Sequence, residues 1–181
     1  MKKLKNSELN RISLNEFKNA SKTPIKVLLN NIRSAHNVGS IFRTCDAFLI
    51  DEIILCGITA TPPNNEIRKT ALGSTDSVKW SYTENIEDAV LILKEEKFNI
   101  ISIEQADKST TIKNIKLDQN EKYAIIFGNE IKGVDQNIIN ISDDVVEIPQ
   151  YGTKHSLNVS VSAGIVIWDF FSKIRINQSR Q

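Results

Sequence analysis

Cysteine is scarce: Cys45 and Cys56 are the only two in 181 residues. They lie among apolar neighbours with no second pair. This excludes a disulfide framework and a cysteine zinc site, and it predicts plain core packing for both thiols. Histidine is equally sparse, at two, and no set of His, Asp or Glu has metal-ligand spacing, so no metal is expected. Long hydrophobic runs are missing, which excludes a bilayer-spanning helix. The opening MKKLKNSELNRISLNEF has basic residues but no apolar signal segment behind them, and a cytoplasmic protein is expected. An excess of one charge is missing too: 23 Lys and Arg against 22 Asp and Glu leave a net charge of +1. Nothing global therefore marks a nucleic-acid binder. GxxxxGK[ST], GxGxxG after the first strand and GxSxG are all absent, so the usual nucleoside-triphosphate, dinucleotide and hydrolase sites are not expected. Adjacent His155 and Ser156 could not form a hydrolase's hydrogen-bonded pair.

What is present is ordinary for a globular chain, with 40% apolar and 25% charged residues, and a single domain with a sizeable core is expected. Basic residues are uneven. Lys2, Lys3 and Lys5 open the chain, Lys173, Arg175 and Arg180 close it, and Arg33, Arg43, Arg68, Lys69, Lys132 and Lys154 fall in or beside predicted loops. A solvated surface and a local basic face both fit this pattern.

Apolar β-branched runs predict strands over Ile25–Leu29, Glu52–Cys56, Val78–Tyr82, Asn99–Ile103, Tyr123–Phe127 and Val145–Ile148. Helices are predicted over residues 7–20, from Asn37 as cap through Cys45, over Glu66–Leu72 ending at Gly73, and over Ile86–Phe98, Asp135–Ile141 and Ser156–Ile174. Residues 104–120 read as polar and irregular. Alternating strands and helices give an α/β fold, a parallel sheet covered on both faces. The boundaries follow: residues 1–24 as an N-terminal extension, 25–175 as the domain and 176–181 as a tail.

Tyr123 to Phe171 concentrates the interest. Its two strands stop at Gly128-Asn129 and at Pro149-Gln150-Tyr151-Gly152, and its polar residues Glu130, Lys132, His155, Ser156 and Asn158 sit in those loops. Ligands of open α/β sheets bind at such strand ends. The last helix is apolar all round, from Leu157 and Val159 to Phe170 and Phe171, and must be covered on every side. Ser160, Ser162, Ala163 and Gly164 give it a thin section that another backbone could approach. A two-fold dimer along this helix is expected.

Three segments resemble the motifs of the SpoU (TrmH) branch of the SPOUT RNA methyltransferases. NNIRSAHNVGSIFRTCDAF is similar to its first motif, IIFGNEIKGV to its second and IPQYGTKHSLNVSVSAG to its third, in family order. Gln150 stands where many members have Met, and Ser162 where many have Ala. The resemblance implies a SPOUT-type α/β knot, a parallel sheet flanked by helices with a C-terminal trefoil knot. It also implies a homodimer through the C-terminal helix and S-adenosyl-L-methionine as cofactor. The implied reaction methylates a ribose 2′-hydroxyl in RNA, with tRNA favoured; rRNA and a non-catalytic RNA-binding dimer are the alternatives.

Carried over, the implied catalytic set is Asn37, Arg43, Glu130, Ser156 and Asn158, and the implied cofactor set is Ile103, Glu104, Gly128, Ile148 and Leu157. Gly128 would leave room beside the adenosine, while Ile148 and Leu157 would offer backbone groups. Glu130 would orient Arg43 or Asn37. Capping is the ordinary role of residues such as Ser156 and Asn158. RNA recognition would fall to the basic tails, Arg33, Arg68, Lys69 and the 57–65 loop.

Overall fold

The structure, a computed structural model, describes residues 1–176; Arg180 and most of the expected tail lie outside them. Seven strands run as β1 (Thr23–Asn30), β2 (Ile50–Cys56), β3 (Lys79–Thr83), β4 (Phe98–Ile103), β5 (Thr110–Thr111), β6 (Lys122–Phe127) and β7 (Asp144–Glu147). They form one sheet in the order β3-β2-β1-β6-β4-β7-β5. All pairings are parallel. The two-residue β5 interrupts the segment expected to be irregular.

Strand periodicity divides the core. Ile25, Val27 and Leu29 of β1 and Tyr123, Ile125 and Phe127 of β6 pack on one face. There they meet α2 (Ala35–Ala47), α3 (Asn65–Ala71) and α7 (Val159–Phe171). Leu28, Ala124 and Ile126 face α5 (Ile86–Glu95) and α6 (Gln136–Ile141) on the other side. Both cysteines are buried. Burial pushes the Cys45 thiol far up and the Cys56 thiol to about 12, as inert core sulfur requires.

Several expected boundaries move for local reasons. The helix expected over residues 7–20 shrinks to α1 (Leu14–Asn19), because Ser13 and Glu16 form a capping box there and Asn10 is left-handed at φ 47°. Only Phe17 of its apolar side is buried. The α2 cap is Ser34, whose Oγ accepts from the Asn37 amide; Asn37 is inside the helix. Asn64 caps α3, accepting from Glu66 N at 2.8 Å, and α3 ends at Ala71 with Leu72 left-handed at φ 51° before Gly73. The short α4 (Ser74–Ser77) follows. Helix α5 stops at Glu95, which frees Phe98 to begin β4. The last helix begins three residues later than expected, at Val159, since Asn158 caps it, and a π-helical turn over Ser172–Ile176 succeeds it.

Helices α2 and α3 touch at Gly39, where a Cβ would lie 2.1 Å from Thr70 Oγ1 and 2.3 Å from the Ile67 carbonyl oxygen. Gly39→Ala therefore forces the helices apart. A loss of about 1–3 kcal/mol is expected, read as a lower urea midpoint with unchanged slope.

Candidate active site

A cavity of about 420 Å³ opens at the carboxyl ends of β4, β6 and β7. Its floor is apolar: Ile103, Phe127, Ile148 and Leu157. Glu104, Glu130, Gln150, Ser156 and Ser162 supply its polar rim. All five residues of the expected cofactor set line it. So do Gln150 and Ser162, the two positions that depart from the resemblance.

The loop after β6 forms one wall, and its shape follows from its residues. Asn129 and Gly133 exchange backbone hydrogen bonds of 3.0 and 2.8 Å. The Asn129 side-chain oxygen accepts from Ile131 N at 2.9 Å and Lys132 N at 3.1 Å, while its Nδ2 donates to the Asn31 carbonyl at 2.7 Å. A Cβ on Gly128 would lie 2.2 Å from the Gly133 carbonyl group, so the room it leaves is taken first by its own loop, not by a ligand. Gly133 is left-handed at φ 69°, and a Cβ added there would lie 2.1 Å from the Glu104 carboxylate. That carboxylate accepts from Val134 N at 3.0 Å and Gln105 N at 2.8 Å. Asn129 was read only as a strand-ending loop residue, and Gly133 was given no role. Their signal was an Asn-initiated turn closed by a glycine.

Glu130 points the other way, to the start of α2. One carboxylate oxygen accepts from Arg33 N at 2.9 Å, and the other from Ser34 N at 3.1 Å and Asn37 Nδ2 at 3.1 Å. Asn37 Oδ1 in turn accepts from Asn158 Nδ2 at 3.2 Å. The Asn158 Oδ1 accepts from Ser160 N at 2.9 Å as the α7 cap, so Asn158 caps a helix and also closes this chain. Glu130 holds Asn37 and has no hydrogen bond or ion pair with Arg43 among the described residues.

The expected catalytic set is therefore split. Glu130 and Ser156 line the cavity, and Asn37 and Asn158 stand behind Glu130. Arg43 is elsewhere, exposed in a separate hollow with Ser40, Thr44, Ala47, Phe48, Lys69 and Thr70. Six residues after Asn37, it leaves α2 on a different flank. Among the described residues no group of three His, Cys, Asp or Glu could hold a metal ion, and no helix is long and apolar enough to cross a membrane.

Burial pushes the Glu130 carboxyl up, but the amides of Arg33, Glu130 itself and Ser34 and the Asn37 side chain outweigh it, and the net value lies below the usual range. A depressed carboxyl contributes stability above its unfolded value, about 4.3, and loses it as pH falls through the folded one. Glu130→Gln should thus lower the urea midpoint at neutral pH, and the gap to the unaltered protein should shrink as the buffer is taken below about pH 4. A gap independent of pH would contradict this assignment.

With this geometry in view, similarity to known proteins can be placed on it. Residues 24–168 match the sequence profile of the SpoU rRNA Methylase family. A Borreliella burgdorferi protein named as an uncharacterized tRNA/rRNA methyltransferase is 35% identical over 150 residues, 83% of this chain and 64% of its own length. The tRNA (guanosine(18)-2′-O)-methyltransferase of Aquifex aeolicus is 32% identical over 147 residues, 79% of this chain and 66% of its own. The chain thus spans just under two thirds of these two relatives. The crystal structure of the A. aeolicus TrmH/SpoU tRNA modifying enzyme superposes with a TM-score of 0.81 at 26% identity, over 92% of this chain and 82% of that one. An AdoMet-bound rRNA methyltransferase from Sinorhizobium meliloti, 24% identical, shares the fold with a TM-score of 0.76 over 85% of this chain and 59% of its own. The matched profile runs from the first strand through the β6 and β7 loops to α7, across every wall of the cavity, and the chain belongs to the SpoU rRNA Methylase family.

Proposed function

We propose that this chain methylates a ribose 2′-hydroxyl in RNA with S-adenosyl-L-methionine, and that tRNA is its substrate. The observation that carries the reading is the convergence of the five cofactor-set residues on one cavity beside the Glu130–Asn37–Asn158 chain. The chemistry of the cavity fits the cofactor. Its apolar lining of Ile103, Phe127, Ile148 and Leu157 suits an adenosine, and the Glu104 carboxylate beside it suits a sulfonium cation. When bound, the cofactor supplies a methyl group that already carries its leaving group.

The protein's part is then alignment and charge. Glu130 is ionised and its oxygens are engaged, so it positions Asn37 and does not take up a proton. Asn37 and Asn158 satisfy one another and fix the start of α7 against the start of α2. The Ser156 hydroxyl has no partner among the described residues and faces the cavity, free to hold the ribose. The Arg43 side chain presents a planar, positively charged guanidinium. Its role is to grip the adjacent phosphate and stabilise the developing alkoxide.

Arg43 serves the cavity of a second copy. Val161, Ile165 and Trp168 are 50%, 39% and 49% exposed along one face of α7, a stripe no monomer should leave bare. A Cβ on Gly164 would meet nothing within 4 Å, so a partner backbone can come close. Trp168 meets Phe48 in a tilted ring contact with centroids 5.4 Å apart, and Phe48 shares the Arg43 hollow. A two-fold dimer through α7 therefore brings Arg43 beside its own interface. The trefoil knot belongs to the same proposal: Gln105 Nε2 donates to the His155 carbonyl at 2.8 Å, tying the β4 loop to the loop before α7.

Arg43→Ala should abolish methyl transfer to total RNA and leave cofactor affinity nearly unchanged by calorimetry. Mixing Arg43→Ala chains with Ser156→Ala chains should restore transfer, because one site of each mixed dimer is then complete. A mixture as dead as its components would place Arg43 in its own subunit. Cofactor binding by the unaltered protein without transfer to any RNA would establish the non-catalytic dimer, and transfer confined to ribosomal RNA would reassign the substrate. Val161→Asp should yield monomers by light scattering, and a surviving dimer would refute the interface.

A further inference from the structure

A second hollow, on the far side of α3, belongs to neither the cavity nor the α7 stripe. It has a volume of about 760 Å³ and lies between the Pro62-Pro63 turn, α3, α4 and the edge strand β3. That is ample for one nucleotide. Trp80 of β3 lines it, half-buried and packed against the core, so its indole is held in place. Asn65, Arg68 and Asp76 also line it, all exposed and none with a side-chain partner among the described residues. Elsewhere on this surface charges pair off readily: Glu66, between Asn65 and Arg68, binds both His36 and Lys69 at 2.6 Å. An aromatic wall with one free guanidinium, one free carboxamide and one free carboxylate is not needed for folding.

We infer that this hollow is an RNA subsite that receives an unstacked guanine of the substrate, distinct from the nucleotide that is methylated. The inference rests on RNA being the substrate. Each contact follows from the chemistry. The Trp80 ring offers a stacking wall for an unstacked base. The Asp76 carboxylate can accept from two adjacent N–H donors, which guanine presents on its Watson–Crick edge and adenine does not. Asn65 can donate to the guanine carbonyl, and Arg68 meets the negative backbone. The position is suitable as well. Thr70 Oγ1 donates to the His36 carbonyl at 2.9 Å, which holds α3 against the first turn of α2, where Asn37 sits. Helix α3 thus connects this hollow to the start of α2, which Glu130 in turn ties to the cavity loop.

The test uses fluorescence. The chain has two tryptophans, so Trp168→Phe leaves Trp80 as the sole emitter. Titration with the trinucleotides UGU and UAU should quench this emission, with UGU binding about tenfold tighter. Asp76→Asn should erase the preference, and Arg68→Ala should weaken both, with melting temperatures unchanged. Equal quenching by the two, or none, would overturn the inference. Because no cofactor or turnover is involved, the two readings fail separately. Methyl transfer to RNA with a silent Trp80 sinks only the subsite, and a responsive Trp80 without transfer sinks only the methylase.

Discussion

The carboxylate of Glu130 bonds from the end of β6 to the start of α2, and most of the site's geometry depends on it. The amides of Arg33 and Ser34 precede a helix whose first N–H groups have no partners within the helix. A carboxylate there satisfies two donors at once and sits at the positive end of the helix dipole. Its burial cost is met by hydrogen bonds from groups that would otherwise need water. One of the carboxylate oxygens also holds Asn37, and through Asn37 the cap of α7. A change at Glu130 is therefore felt at the start of two helices.

Glu104 is the counterpart on the other side of the cavity. It reaches from the end of β4 to Val134 N, just past the same β6 loop. The loop from Gly128 to Gly133 thus hangs between two carboxylates that face opposite ways, and two glycines let its ends approach each other closely. Polar residues at the starts of the strands are arranged differently. Buried Glu52 lies 3.2 Å from both Lys26 and Lys79 and is closed off as a structural ion pair. At the strand ends, Ser156 keeps an unengaged group toward the cavity. This asymmetry between the two ends of the sheet separates scaffold from site.

The strands and the order of helices were legible because each is a local pattern: β-branched runs, a caps-and-breaker rhythm, and apolar spacing near 3.6. The site was legible only as a list of residues. Cap residues show the limit well. Ser34 and Asn37 are both good caps three positions apart, and only the distant Glu130 decides that Asn37 turns inward. The same holds at Asn158, where an unbroken apolar pattern suggested an earlier start and the side chain's double engagement set a later one. Gly128 was read against a ligand, though its nearest neighbour is a backbone five residues on. Spacing along a chain says little about which carboxylate will find which amide ninety residues away.

Arg43 and α7 pose one problem with a common solution. A helix with apolar residues on all sides cannot be covered by the chain that carries it, because the sheet occupies one side only. In the proposed dimer the uncovered side packs on its copy. That packing excludes water from Phe48, which lines the same hollow as Arg43. An arginine there would meet a phosphate at the margin of a dry interface, where a charge-assisted contact is stronger than on open surface. Dimerisation and catalysis would then depend on the same face. A monomer could keep the cavity and its Glu130 scaffold whole while lacking the one cation that the reaction needs.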